Sequence, residues 1–453
     1  MFATEVYALL LMAGFLFIGY LAVRLPLVSR VFLPGSLVAG LLLLIVSPQV
    51  AGQFFPEWQI NPDFYDFWNK LPKHLINVLF ACLFLARVVP PAKKMWKMAG
   101  PQAAFGQMLA WGQYAVGGIL TLFVLIPLFG ARDLTAALIE MSFEGGHGTV
   151  SGMAPVFEKI NFQQGKDLAV GLATVSLCFA LISGVILVNW GRRKGYIKTV
   201  LKSGLRERIY HRRIVHELNK NGIKLREHLS LKNLATHSVL IVISIGLGWL
   251  LYSALIIFES TIFNKDTSNA IIQYVPLFPF CMFGGMIAQQ IWSRLGFSTS
   301  RPLIELMSSI ALSVLITSAV ATMSLSYIAA HLLTFALLAI VGIVWIVFGF
   351  IIFAPRMFKK NWFQNGIVNA SQSMGMTATG LLFLHMVDPN NKTDAMESFG
   401  YKQLMFEPFM GGGIVTALSM PAIAFIGLPI FTIVTSLICL TWLLLGMFYF
   451  RRL

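Results

Sequence analysis

Apolar runs alternate with short polar stretches along the whole chain. A membrane-spanning helix needs about 20 predominantly apolar residues. On this criterion the pattern predicts an all-α polytopic membrane protein with eleven spans, at about 6–23, 31–48, 71–89, 103–129, 168–190, 238–258, 271–291, 303–323, 328–353, 404–426 and 428–450. Two further apolar stretches, 135–156 and 364–386, are rich in Gly, Ser and Thr. We expect these two to be broken or re-entrant segments.

The positions of Lys and Arg predict how the segments cross the membrane, because cytoplasmic loops carry an excess of basic residues. The charges fit an N-terminus outside and a C-terminus inside only if segments 135–156 and 364–386 each enter and leave on one side. The alternative is that either segment is an ordinary span containing glycine. With re-entrant segments, the loop 49–70 is extracytoplasmic and the halves are two inverted five-helix repeats. The predicted divisions are an N-terminal repeat at 1–190, a basic cytoplasmic linker at 191–237, a C-terminal inverted repeat at 238–426 and one extra C-terminal helix at 427–453.

The composition supports a membrane protein and excludes several other classes. Of the 453 residues, 57% are hydrophobic and only 12% are charged, against about 25% charged in an ordinary soluble domain. The net charge of +15 does not indicate nucleic acid as a partner, because much of the excess lies in the predicted linker. The four cysteines all fall in apolar runs, and no motif for ATP use or covalent catalysis is present. The chain is therefore not expected to be an enzyme.

The first broken segment combines glycines with ionisable side chains. Glycines allow positive φ and a close approach of backbone to a ligand, and an ionisable residue at membrane depth is a functional hypothesis by default. Packing of helices through small residues would explain the glycines, but not Glu144 close to His147. The candidate substrate- or ion-binding residues here are Ser142, Glu144, Gly145, Gly146, His147, Gly148, Thr149 and Ser151.

Two further segments supply candidates without charge. Their hydroxyl and amide oxygens suit Na⁺, an amine or an α-carboxylate, although hydrogen bonding between helices is the structural alternative. Three glycines follow Glu407-Pro408 early in span 404–426, which predicts either a discontinuity or a tight packing face. The candidates are Asn369, Ser371, Gln372, Ser373, Gly375, Thr377 and Thr379 in the second broken segment, with Gly411, Gly412 and Thr416 in the third. Any Na⁺ site is expected within these same segments.

Inverted halves with broken segments at matching positions are typical of secondary transporters. Non-helical backbone at membrane depth is tolerated only where it is buried in protein or faces water. Its free N–H and C=O groups can then bind a substrate or ion. We therefore expect the two broken segments to meet near the membrane midplane.

At Gly145-Gly146-His147-Gly148-Thr149 the chain resembles the bacterial sodium/glutamate symporter family, and the likeness extends over about residues 5–425. In the second motif Ser371-Gln372-Ser373-Met374 replaces a glycine-rich sequence, whereas Gly375 and Thr377 remain comparable. The resemblance implies symport of glutamate or a related small amino acid or carboxylate, coupled to Na⁺ or H⁺, by a homodimer in the inner membrane. It implies no organic cofactor. The alternative is a non-transporting sensor or assembly factor on the same scaffold, in which the broken segments would not enclose a polar cavity.

Overall fold

The computed structural model describes residues 2–25, 33–55, 60–87, 91–197, 229–263 and 271–452, and this part of the chain is helical without strands. Of the predicted linker 191–237, residues 198–228 lie outside the described part. The same holds for residues 56–59 of the predicted outer loop. The fold class of an all-helical, multi-pass membrane protein is confirmed.

In the first half, longer helices precede and follow a pair of short helices. In chain order the helices are α1 (Phe2–Ala22), α2 (Gly35–Ile45), α3 (Pro62–Cys82), α4 (Ala92–Leu120), α5 (Leu138–Phe143), α6 (Gly146–Gly152) and α7 (Gly165–Arg193). The second half contains α8 (Leu231–Phe263), α9 (Phe278–Arg294), α10 (Arg301–Ala321), α11 (Leu332–Phe348), α12 (Trp362–Gln372), α13 (Thr377–Val387), α14 (Ala395–Phe406), α15 (Ile414–Ile426) and α16 (Leu428–Leu444).

Seven helices in the described residues are long and apolar enough to cross a membrane, which is fewer than the eleven spans expected from the sequence. These seven contain α1, α4, α7, α8, α10, α11 and α16. The other four predicted spans differ for local reasons. Helix α2 has 11 residues and α9 has 17, while the first half of α3 carries several charged side chains.

The predicted continuous span 404–426 is wrong in its detail. Helix α14 ends at Phe406, and α15 begins only at Ile414. Between them, Gly411 and Gly412 have φ angles of +66° and +103°, a region open mainly to glycine. The structure thus has the discontinuity that was one of the two interpretations of these glycines.

The helices form two bundles. The first bundle contains α1, α2 and α3 from the first half and α8, α9 and α10 from the second. The second bundle contains α4, α5, α7 and the helices α11 to α16, and it holds most of the largest cluster of buried apolar side chains. Helix α6 contacts α3 and α10, so it lies where the two bundles meet.

Helices α4 and α11 share an unusual ending. Each runs into a π-helical segment, Thr121–Leu125 and Gly349–Phe353 respectively, and each segment is followed by a proline, Pro127 or Pro355. A proline ring clashes with the carbonyl four residues earlier in a regular α-helix. The wider π-turn relieves that clash while the helix continues. In both halves this ending precedes the broken segment.

Candidate functional site

The first broken segment is interrupted at Glu144 and Gly145. Helix α5 ends at Phe143, and Gly146 starts α6 with a φ angle of +67°. Any other residue at Gly146 would be strained, because a left-handed backbone brings Cβ close to the following carbonyl oxygen. The interruption leaves Glu144 between the ends of the two short helices.

The second broken segment is a helical hairpin. Helix α12 ends at Gln372 and α13 begins at Thr377, and the two helices pack against each other. The packing is close, since a Cβ atom added to Gly380 would lie 2.5 Å from the carbonyl oxygen of Val368. The four-residue connection, 373–376, brings the end of α12 to the first broken segment.

The discontinuity between α14 and α15 lies against the first broken segment. A Cβ atom added to Gly412 would lie 2.4 Å from Thr149 Oγ1, and one added to Gly411 would lie 3.2 Å from the carbonyl oxygen of Glu144. Gly412 thus leaves room for the Thr149 side chain, and Gly411 allows its backbone to approach that of Glu144. Three interruptions of helix, from distant parts of the chain, meet at one place.

The three interruptions border a cavity of about 190 Å³, whose opposite wall is formed by apolar side chains of α3 and α10 such as Phe80 and Ile316. Two carboxylates, Glu144 and Glu407, face the cavity, and no lysine or arginine of the described residues lines it. The predicted site residues that line it are Glu144, Gly145, Gly146, His147, Gly148, Thr149, Gln372, Gly375, Thr377 and Gly411.

Glu144 connects the two broken segments. Gln372 Nε2 donates a hydrogen bond of 2.8 Å to Glu144 Oε1, and both side chains are buried. The second oxygen, Oε2, is buried and has no hydrogen bond of ordinary geometry in the described residues, although the Ser373 hydroxyl lies beside this carboxylate. A buried carboxylate oxygen without a partner is costly, so this atom is well placed for a cation that enters the cavity.

His147 does not pair with Glu144. Its Nε2 lies 2.9 Å from Thr174 Oγ1 on α7, and this hydroxyl donates to the carbonyl oxygen of Val170. Because the hydroxyl hydrogen is already used, Nε2 is assigned as the donor to Thr174. The histidine is thus held against α7, and the proximity of Glu144 and His147 in sequence does not make them hydrogen-bonding partners.

A buried lysine lies behind the cavity. Lys402 on α14 is fully buried, and its Nζ donates to Gln372 Oε1 at 2.6 Å and to Gln403 Oε1 at 2.9 Å. Gln403 Nε2 in turn donates to Glu407 Oε1 at 3.1 Å. Glu407 also forms an ion pair with Arg87, whose Nη1 lies 3.7 Å from Glu407 Oε2.

A second buried carboxylate, Glu140, ties α5 to α4 and α15. It accepts hydrogen bonds from the Tyr114 hydroxyl, from Thr416 Oγ1 at 2.9 Å and from the backbone N–H of Gly411 at 3.3 Å. Thr416, predicted as a binding residue, contacts Glu140 and does not line the cavity. This network fixes the discontinuity between α14 and α15 against α5.

The remaining predicted site residues lie outside the cavity wall. Asn369 donates to Gln102 Oε1 at 3.0 Å and so links α12 to α4, as the structural alternative of hydrogen bonding between helices describes. Gly412 packs on Thr149. The others are buried hydroxyl residues of the broken segments, namely Ser142, Ser151, Ser371, Ser373 and Thr379.

Sequence reasoning missed Glu140, Lys402 and Gln403. Glu140 lies four residues before Glu144, and two carboxylates one helical turn apart in an apolar segment were an available signal. Lys402 and Gln403 lie just before the predicted span 404–426, in a sequence polar enough to be taken for a loop. Nothing in that sequence indicates that the lysine is buried.

Comparison with known proteins identifies one family. A family described as sodium/glutamate symporter matches residues 3–387 of this chain. None of the curated proteins matches the chain significantly.

Proposed function

Since the chain belongs to the sodium/glutamate symporter family, we propose that it carries out Na⁺-coupled symport of glutamate or a related small amino acid or carboxylate. The family points to a transporter and not to an enzyme. The cavity where the interruptions of helix meet supports this choice of substrate class and coupling ion.

One observation carries this proposal, namely the buried Glu144 carboxylate in the wall of an acidic cavity, whose Oε2 has no hydrogen bond of ordinary geometry in the described residues. An amino group or a Na⁺ ion would satisfy this atom, and both are brought by a Na⁺-coupled amino-acid symporter. The volume of about 190 Å³ is below the roughly 300–1,000 Å³ of pockets for drug-sized ligands. The cavity therefore favours a small substrate.

The two halves, 1–190 and 238–426, are proposed to be inverted repeats with broken segments at 135–156 and 364–386. The matched endings of α4 and α11, each with a π-turn and a proline before the broken segment, support this division. So does the first bundle, which takes three helices from each half. The N-terminus is proposed to lie outside and the C-terminus inside the inner membrane.

Uptake by purified protein in liposomes tests the function. Labelled glutamate, aspartate and neutral amino acids are offered with an inward gradient of Na⁺, and with choline in place of Na⁺ as the control. We expect accumulation of at least one of them only with the Na⁺ gradient. Uptake that is driven by a proton gradient and is independent of Na⁺ would mean that the protein is a symporter coupled to H⁺.

The alternative of a non-transporting sensor or assembly factor predicts binding without uptake. The polar cavity between the broken segments favours the transporter. A protein that does not transport has no need of buried carboxylates that face a cavity. The homodimer implied by the family remains a proposal. Its test is the molar mass of the detergent-solubilised protein, measured by light scattering with the detergent contribution subtracted.

A further inference from the structure

The Lys402 ammonium contacts two amide oxygens and the face of an aromatic ring. Two amide oxygens lie 2.6 and 2.9 Å from Nζ, and the centroid of the Phe406 ring lies 3.6 Å away. A charged ammonium has three hydrogens to donate and no lone pair, and an aromatic face attracts a cation. The two amide oxygens and the aromatic ring can accept the three N–H groups of a protonated lysine, so the surroundings match the charged form.

The chain is shaped to admit this side chain. A Cβ atom added to Gly106 on α4 would lie 2.6 Å from Lys402 Cε and 3.1 Å from its Nζ. No larger residue at Gly106 leaves room for the lysine in its present position. The ring of Phe399, with its centroid 5.6 Å from Nζ, adds a second aromatic neighbour.

Two glutamines orient their amides in the same sense around this charge. Gln372 turns its oxygen to Lys402 and its nitrogen to Glu144, while Gln403 turns its oxygen to Lys402 and its nitrogen to Glu407. Lys402 forms no ion pair within 4.0 Å in the described residues. Neutral carbonyl oxygens form its shell, as they do for alkali ions bound by protein.

The lysine lies one layer behind the cavity. Gln372, Gln403 and Phe406 touch Nζ on one side and line the cavity on the other. The cavity carboxylates Glu144 and Glu407 and the cations Lys402 and Arg87 then balance in charge. A positive charge is thus present beside the cavity before any ion binds.

We infer that Lys402 is a tethered cation that occupies a site for a monovalent ion, so that the chain itself supplies one positive charge of the transport site. This inference rests on the proposed function and deepens it, since it assigns one cation of the site to the protein. A chain that lacked the lysine side chain would bind Na⁺ there, between the oxygens of Gln372 and Gln403.

Two substitutions separate a cation site from a packing role. Lys402→Ala removes the charge and opens space for an ion, whereas Lys402→Met removes the charge and keeps the space filled. Thermal stability of the purified full chain is measured in NaCl and in choline chloride at equal ionic strength, without substrate. Lys359→Ala, at an exposed lysine, is the control for the loss of a surface charge.

We expect Na⁺ to raise the melting temperature of Lys402→Ala by about 2 °C or more beyond its effect on Lys402→Met. The extra rise should saturate with Na⁺ concentration. Lys359→Ala should respond to Na⁺ as the wild type does. Equal Na⁺ responses of Lys402→Ala and Lys402→Met would overturn the inference.

If either single variant does not fold, Glu144→Gln is added to Lys402→Met to restore the charge balance of the network. Recovery of folded protein is expected, because an uncompensated buried charge is then absent. Failure of this double variant to fold would show that the lysine is needed for a reason other than its charge and would also overturn the inference. None of these measurements requires uptake, so a wild type that transports nothing would refute the proposed function without deciding this one.

Discussion

Gln372 Nε2 and Glu144 Oε1 are 228 residues apart in sequence and lie 2.8 Å from each other. This one hydrogen bond joins the interruptions of the two broken segments. The same glutamine accepts from Lys402, so a change at Glu144 reaches α14 without direct contact. The carboxylate therefore has a place both in the cavity wall and in the buried network.

Glu144→Gln should preserve the fold and impair coupling. A glutamine oxygen can still accept from Gln372, but its neutral amide cannot neutralise a bound cation. Loss of a hydrogen bond to a charged group corresponds to about 1.5–3 kcal/mol, so we expect substrate or Na⁺ affinity to fall about 10- to 100-fold. Binding is measured by titration of the purified protein at several Na⁺ concentrations.

The exposed carboxylate Glu158 provides the control, because Glu158→Gln removes the same charge outside the cavity. Its affinities should match those of the wild type. Normal transport by Glu144→Gln, with unchanged dependence on Na⁺ and pH, would show that the functional interpretation of this residue is wrong. A loss of stability with normal affinity per folded molecule would assign the carboxylate a structural role.

Gly146→Ala should impair transport through the backbone. Gly146 has a φ angle of +67°, and an added Cβ would come no closer than 4.0 Å to another residue, the carbonyl oxygen of Gly375. The substitution thus adds strain without a clash, at a cost of about 1–2 kcal/mol for a left-handed alanine. Uptake is compared with that of Gly130→Ala, since Gly130 has a φ of +60° and open space around it.

Both alanine variants should lose a similar amount of stability, but only Gly146→Ala should lose uptake. The reason is that relief of strain at Gly146 moves the start of α6, which lines the cavity. Equal uptake by the two variants would mean that the shape of this interruption does not matter for transport.

The sequence allowed the interruptions of helix to be located, because glycines and hydroxyl residues in an apolar run are a local signal. Glu144 and Gln372 were both identified in this way. That they form a hydrogen bond could not be predicted, since a single sequence contains no information on which distant segments approach each other. A discontinuity and a tight packing face were the two interpretations of Gly411 and Gly412, and the structure has both features at these residues.

Lys402 shows where reasoning from local composition fails. Its segment, 395–406, contains Glu397, Lys402 and Gln403, which lowers its hydropathy below that of a span. The lysine is nevertheless fully buried, because α14 packs against α4 at Gly106. Burial of a charge is a property of the assembled bundle. The groups around the Lys402 ammonium belong to Gln372, Gln403 and Phe406. The lengths of two predicted spans, 31–48 and 404–426, were overestimated for a related reason. Apolar residues continue beyond the ends of the short helices α2 and α15.

Tyr114→Phe should destabilise the protein without a direct effect on ligand affinity. The Tyr114 hydroxyl donates to Glu140, and both side chains are fully buried outside the cavity wall. Removal of the donor leaves a buried carboxylate with one partner fewer, at a cost of about 1–3 kcal/mol. The measurement is the melting temperature in detergent.

Tyr7→Phe serves as the control, because Tyr7 is 63% exposed. Its change should stay within about 0.5 kcal/mol. A Tyr114→Phe protein as stable as the control would show that the Tyr114–Glu140 hydrogen bond contributes nothing to holding α4 against α5.

Single cysteines report which side of the membrane each loop faces. Asp66 and Lys194 are exposed in the structure, Asp66 in the proposed outer loop 49–70 and Lys194 in the proposed cytoplasmic linker 191–237. An impermeant thiol reagent applied to right-side-out cells should label Asp66→Cys and leave Lys194→Cys unlabelled until the membrane is opened. The four native cysteines are free thiols, three of them buried, so the wild-type chain measures the background.

The expectation rests on the excess of basic residues in 191–237, because such an excess marks a cytoplasmic loop. The reverse labelling would place the linker outside and invert the proposed orientation of both halves. Labelling of both variants in intact cells would put positions 66 and 194 on the same side of the membrane. The chain would then cross the membrane an even number of times between them, and 135–156 would be a full span.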